Sequence, residues 1–144
     1  VIFNNNYKLN LAPSTGSGNL DTLISLYICW GKEFIILLDS DKEGNNQKAR
    51  YIEKFGIIVE QRIYTFQDID PTWVKKGLER LFENSEALKF QQTAYPGSSE
   101  YNKTHFNRTI QESLINKRDF NFSQQTKDNI EKILILLAEK INSH

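Results

Sequence analysis

Hydrophobic and polar positions along the chain fall into blocks whose period changes. Residues 34–38 read Phe-Ile-Ile-Leu-Leu, an unbroken apolar run of the length and kind expected for a buried strand. The run stops at Asp39-Ser40-Asp41-Lys42-Glu43-Gly44, where two carboxylates one residue apart are followed by a glycine and then a helical pattern. Upstream, Leu20, Leu23, Ile24 and Tyr27 stand at i, i+3, i+4 and i+7 and predict a helix capped by Asn19 and ended by Gly31. Downstream, Ala49, Ile52 and Phe55 predict the buried stripe of a helix over 45–55 that Gly56 stops, with Lys48, Arg50 and Lys54 on its solvated face. After apolar Ile57-Ile58-Val59, the β-branched and aromatic Arg62-Ile63-Tyr64-Thr65-Phe66 reads as another strand. A short incoming strand at 7–11 completes the order strand, helix, strand, helix, strand, which is the alternation of an α/β fold with a parallel sheet.

The second half is more helical. Asp70 as cap and Pro71 at the first helical position open a predicted helix with Val74, Leu78, Leu81 and Phe82 on its apolar stripe and Glu79 at the edge of that stripe. A loop over 94–102 containing Pro96-Gly97 follows. Phe106, Ile110 and Leu114 are then spaced four apart. Ser123 opens a last helix carrying Ile130, Ile133, Leu134, Leu137 and Ile141. The expected division is an α/β part over 1–90 and a C-terminal helical extension over 91–144 packed on it.

Composition narrows the function classes. Eighteen basic and eighteen acidic residues cancel, so no global field draws in nucleic acid or a membrane. A polyanion would have to be held by a local patch or through a metal. The single cysteine, Cys29, rules out an internal disulfide and a multi-cysteine zinc site; in its apolar segment it is expected to be a buried structural thiol, in keeping with a cytoplasmic origin. No apolar run approaches the roughly 18 residues of a membrane helix, and no signal-peptide pattern opens the chain. The chain begins at Val1 and contains no methionine, which leads us to expect a piece of a longer protein.

Ligands of open α/β sheets bind beyond the carboxyl ends of the strands, which makes Asp39 and Asp41 site candidates by position. Residues i and i+2 of an extended chain point to one side, so the two carboxylates can converge on one hard cation, magnesium or manganese. The competing reading is that Asp41 caps the following helix and Asp39 is solvated at a strand end. The same stretch matches the first half of a calcium-binding EF-hand loop, but the twelfth position is Arg50 and a strand precedes it, so that reading fails. A glycosyltransferase using the acid pair on a nucleotide-sugar diphosphate stays open as a lesser alternative. The loop Pro13-Ser14-Thr15-Gly16-Ser17-Gly18 lacks the lysine of a Walker loop and the glycine spacing of either nucleotide fingerprint. The only histidines are His105 and His144, and no serine sits in a nucleophile elbow, which leaves metal-assisted chemistry on a phosphate.

Taken together, Ser14-Thr15-Gly16-Ser17-Gly18-Asn19-Leu20, the helix ending at Trp30-Gly31, Leu37-Leu38-Asp39-Ser40-Asp41-Lys42-Glu43-Gly44, and Leu78-Glu79-Arg80-Leu81-Phe82 resemble the TOPRIM (topoisomerase-primase) domain. The subgroup they resemble most is the overcoming-lysogenization-defect (OLD) family of bacterial and phage ATP-dependent endonucleases. The resemblance implies a Rossmann-like parallel sheet flanked by helices, with strand-end carboxylates binding Mg2+ or Mn2+. Asp39 and Asp41 match the family's paired aspartates and Glu79 its helix glutamate. That assigns these three as metal ligands in the hydrolysis of DNA phosphodiesters. Lys103 would add positive charge to the transition state, and Lys75, Lys76 and Arg80 would contact the DNA backbone. Arg80 stands where the family motif usually has an acid, and no glutamate precedes Glu33, so the family's glutamate-bearing first strand is expected to lie upstream of the chain. The resemblance therefore implies the C-terminal part of a cytoplasmic nuclease, often active in phage defence, with an ATPase domain upstream and a homo-oligomer among its candidate partners. The alternative is a non-catalytic TOPRIM remnant or receiver-like α/β module serving as an assembly surface.

Overall fold

The carboxyl ends of two short parallel strands form the centre of the first half of the chain. In a computed structural model, which describes Asn10, Ala12, 20–74 and 77–142 (Leu78, Glu79, Asn84 and Asn142 by backbone alone), strand β1 spans Ile36–Leu38 and β2 spans Ile63–Thr65. They pair in parallel with Ile36 opposite Ile63, Leu37 opposite Tyr64 and Leu38 opposite Thr65. Around them lie helices α1 (Asp21–Cys29), α2 (Lys42–Phe55), and the one-turn helices α3 (Ile57–Glu60) and α4 (Phe66–Ile69). A 3-10 turn at Leu78–Leu81 leads to α5 (Asn84–Gln92), α6 (Lys103–Ile115) and α7 (Gln124–Asn142). Among the described residues the fold is thus mixed α/β, mostly helical, with one small parallel sheet. The expected strand at 7–11, the Asn19 cap and the polar loop at 13–18 lie outside the described residues, Asn10 apart.

The chain falls into two units, one made of Val1–Gly77 with Lys132–His144 and the other of Leu78–Glu131. The boundary expected at residue 90 lies inside α5, where Phe90 is buried.

In the first unit the period of two puts Ile36 and Leu38 on one face of β1, where they are buried with Ile63, Ile24 of α1, Tyr51 of α2 and Val59 of α3. Burying each large apolar side chain contributes about 1.5–3 kcal/mol. The stripe of α2 differs from the expected one, because Ala49 is exposed and Tyr51 is fully buried. A buried phenol needs a partner for its hydroxyl. The Tyr51 oxygen accepts from the Leu20 N–H at 3.1 Å and from Arg50 Nη2 at 3.0 Å. Arg50 and Lys54, expected on a solvated face, lie 3.5 and 3.3 Å from the Asp21 carboxylate. Gly56 ends α2 at φ +67° as expected. Cys29, expected to be buried, is exposed, because α1 turns Ile24 and Ile28 toward the core and leaves Cys29 off that face.

The helix expected from Pro71 through Phe82 does not form among the described residues, which carry a 3-10 turn at Leu78–Leu81 instead. Asp70 Oδ1 accepts from the Thr72 N–H at 3.0 Å and from Thr72 Oγ1 at 2.6 Å. Lys132 Nζ donates to the other oxygen at 2.6 Å, and the bonds from Lys132 and Thr72 hold the Asp70 carboxyl well below the usual carboxylate range. Trp73, outside the expected stripe, is buried against Phe66, whereas Val74 is exposed.

The second unit is organised by aromatic rings. Phe90 and Phe106 are buried with their ring centroids 5.7 Å apart, and Phe82, Phe120 and Phe122 pack on them at 5.1 to 5.4 Å. Leu114, expected on the buried stripe of α6, is 74 % exposed because Phe120 and Phe122, beyond the helix, take up the cluster. Polar groups hold the connections. Buried Gln91 donates to the Glu100 carbonyl and accepts from the Asn102 N–H, which pins the expected loop at 94–102. Buried Glu86 accepts from the Ser123 N–H and from the hydroxyls of Ser123 and Thr126 at the start of α7. His105 stacks on Tyr95 at 4.2 Å and lines a shallow, open groove of about 510 Å³ along the same loop.

Candidate metal centre at the strand ends

The chain leaves β1 at Leu38 and places Asp39, Ser40 and Asp41 on the turn into α2. Asp39 is half-buried, Ser40 is buried and Asp41 is exposed. Asp41 is the N-cap of α2, its Oδ1 accepting from the Gly44 N–H at 2.7 Å, so the helix begins at Lys42 rather than at 45. Ser40 Oγ accepts from the Gln67 N–H at 2.6 Å and stitches the end of β1 to the start of α4, just past the end of β2. The acid turn is therefore fixed from both sides, by the helix it opens and by the neighbouring strand's continuation.

Beside it, the Asp68 carboxylate accepts from Lys48 Nζ at 2.6 Å, from the Thr65 N–H at 2.6 Å and from Thr65 Oγ1 at 3.0 Å. Partial burial opposes ionisation of Asp68, but the bonds from Lys48 and Thr65 outweigh it and hold the carboxyl below its ordinary value of 3.8. A folded-state value below the unfolded one means that Asp68 contributes stability above about pH 4, which is lost as the pH falls toward the folded value. Thermal melts between pH 2 and 7 are expected to show a shallower acid limb in Asp68→Asn than in the parent. Superimposable limbs would remove Asp68 from the acid response.

Two glycines close around Asp39. A Cβ on Gly44 would lie 2.0 Å from the Asp39 carbonyl oxygen, and one on Gly77 would lie 3.0 Å from Cγ, Oδ1 and Oδ2 of the Asp39 side chain. The donor set is two carboxylates, hard oxygen ligands. Among the described residues no group of three or more His, Cys, Asp or Glu is placed to hold a metal ion. Two carboxylates still fit Mg2+, which retains several waters and is bound through one or two carboxylates together with substrate phosphates. A carboxylate offers about four lone-pair sites, so capping with one oxygen of Asp41 leaves capacity for a cation.

Of the other expected site residues, Lys75 and Lys76 and the side chain of Glu79 lie outside the described residues. The Glu79 backbone is in the 3-10 turn at Leu78–Leu81. Arg80 is exposed in that turn, and Lys103 is the exposed first residue of α6. Glu79, Arg80 and Lys103 belong to the second unit, Asp39 and Asp41 to the first. Sequence reasoning missed Ser40, Lys48, Thr65, Asp68 and Gly77. Thr65-Phe66-Gln67-Asp68 carries the Thr-x-x-acid signature of a capping box, and a lone glycine inside a helical pattern marks Gly77 as unusual.

Comparison with known proteins finds no matching family model, no matching curated protein and no matching solved structure. No described helix is long and apolar enough to cross a membrane.

Proposed function

We propose that this chain is the C-terminal, TOPRIM-like part of an OLD-like, ATP-dependent DNA endonuclease that hydrolyses phosphodiesters with Mg2+ or Mn2+. The observation that carries the reading is the acid pair Asp39 and Asp41 on a pinned turn at the carboxyl end of a strand in a parallel pair. That is the position where open α/β folds place their ligands. Asp39 and Asp41 would hold the cation, with Glu79 as the third ligand that the resemblance supplies. When bound, the metal would neutralise charge on the scissile phosphate and lower the pKa of a coordinated water. Asp41 does a second job, because capping α2 fixes its carboxylate. The bond from the Gln67 N–H to Ser40, between the two acids, ties their turn to the start of α4. Lys103 would offset negative charge at the reacting phosphate, and Lys75, Lys76 and Arg80 would grip the DNA backbone. The finer fold, a Rossmann-like TOPRIM sheet, belongs to this proposal, as do the upstream ATPase domain, a homo-oligomer, a cytoplasmic setting and a role in phage defence.

A second reading, a non-catalytic assembly module, is favoured by one observation: Asp41 Oδ1 is already engaged with the Gly44 N–H, so helix capping alone accounts for that acid. A manganese titration by calorimetry separates the two readings. Asparagine caps helices as well as aspartate, so Asp39→Asn with Asp41→Asn removes both charges without removing the cap, whereas Asp41→Ala would cost about 1 kcal/mol of stability as well. The expected result is binding by the parent chain that disappears in the double asparagine variant, with metal-dependent plasmid cleavage by the longer protein lost in parallel. A parent chain that binds no manganese would favour the assembly module.

A further inference from the structure

Gly77 is buried and interrupts a stretch whose other residues predict a helix, and its backbone does not need positive φ, the usual reason for a glycine. The reason lies in what faces it. A Cβ there would stand 3.0 Å from Cγ, Oδ1 and Oδ2 of Asp39 alike, and a point equidistant from those three atoms lies above the face of the carboxylate, not at its edge. Carboxylate lone pairs lie near the plane of the group, so a neighbour over the face constrains the direction in which they point. A side chain at position 77 would press on the acid's face.

We propose that Gly77 is a positioning residue for Asp39: the bare backbone closes over the carboxylate and sets the orientation in which it meets a divalent cation. This rests on the metal reading above. A Cβ at 3.0 Å is tighter than ordinary contact, so alanine would make the carboxylate give by a few tenths of an ångström, and taken up as rotation that is comparable to the roughly 10–20° within which a binding group must be held.

The test uses the full chain labelled with 13C and 15N. In the unaltered chain, a nuclear Overhauser contact between Gly77 Hα and Asp39 Hβ is expected. In the metal-free state, Gly77→Ala is expected to move the Asp39 carboxyl resonance, assigned with Asp39→Asn. Gly97→Ala, at a glycine with nothing within 4 Å, is expected to leave it in place. Manganese affinity, measured where circular dichroism shows each variant folded, should fall about tenfold in Gly77→Ala and stay unchanged in Gly97→Ala. A missing Overhauser contact, or an Asp39 resonance unmoved in Gly77→Ala while the parent still binds manganese, would overturn the role of Gly77 alone. A moved resonance with no manganese bound by the parent would overturn the metal reading, and with it the purpose assigned to the contact.

Discussion

Replacing Gly44 by alanine is expected to destabilise the first unit by about 3 kcal/mol and to lower its melting temperature by about 15 °C. In an exposed helix interior the same substitution would be stabilising by about 1 kcal/mol, because glycine has the larger conformational entropy to lose. Here the sign reverses on geometry. The added Cβ would sit 2.0 Å from the Asp39 carbonyl oxygen and 3.0 Å from its carbon, and both are backbone atoms with no rotamer to escape into. Relief requires the first turn of α2 to move off the acid turn, which costs the Asp41 cap and the packing of Tyr51 behind it. Asn46→Ala, exposed in the same helix, is the control and should be neutral or mildly stabilising. Melts followed by circular dichroism decide it. A Gly44→Ala chain as stable as its parent would mean that the helix does not press on the Asp39 backbone as described.

That contact also shows how far the sequence carries. The turn at 39–44 was legible because three local signals coincide there: an apolar run ends, acids follow, and a glycine precedes a 3.6-residue period. The grip on the turn was not legible, since Ser40 meets Gln67 across 27 residues and Lys48 meets Asp68 across 20. Periodicity reports which face of an element is apolar, not which distant group a polar residue meets. The misplaced helix at 71–82 has a related cause. Its expected stripe is Val74, Leu78, Leu81 and Phe82, but tertiary packing buries Trp73 and leaves Val74 exposed. In α2 the period is right and the choice of face slightly off: the expected stripe includes Ala49, which is exposed, and omits Tyr51, which is fully buried. Its hydroxyl could be buried only because the Leu20 N–H and Arg50 reach it, and neither contact leaves a mark in the pattern.

The second unit offers a test of comparable size. Phe106→Ala is expected to cost about 3–5 kcal/mol, whereas Leu114→Ala, eight residues on along the same expected stripe, should change stability by about 0.5 kcal/mol or less. Phe106 is 1 % exposed and meets Phe82 and Phe90 edge-on, at 5.1 and 5.7 Å between centroids, with Tyr101 at 5.5 Å. Edge-to-face pairs add about 0.5–1.5 kcal/mol beyond area burial, so removing the ring forfeits two such contacts and leaves a void between α5 and α6. The gap cannot close cheaply, because Gln91 and Glu86 hold the ends of α5 to the following loop and to α7 through buried hydrogen bonds. Urea unfolding gives the free energies, and amide exchange localises them: protection should fall across α5 and α6 in Phe106→Ala and stay at the parent level in Leu114→Ala. Equal costs for the two variants would mean that the aromatic cluster is not what holds this unit together, and that the apolar stripe read from the sequence is.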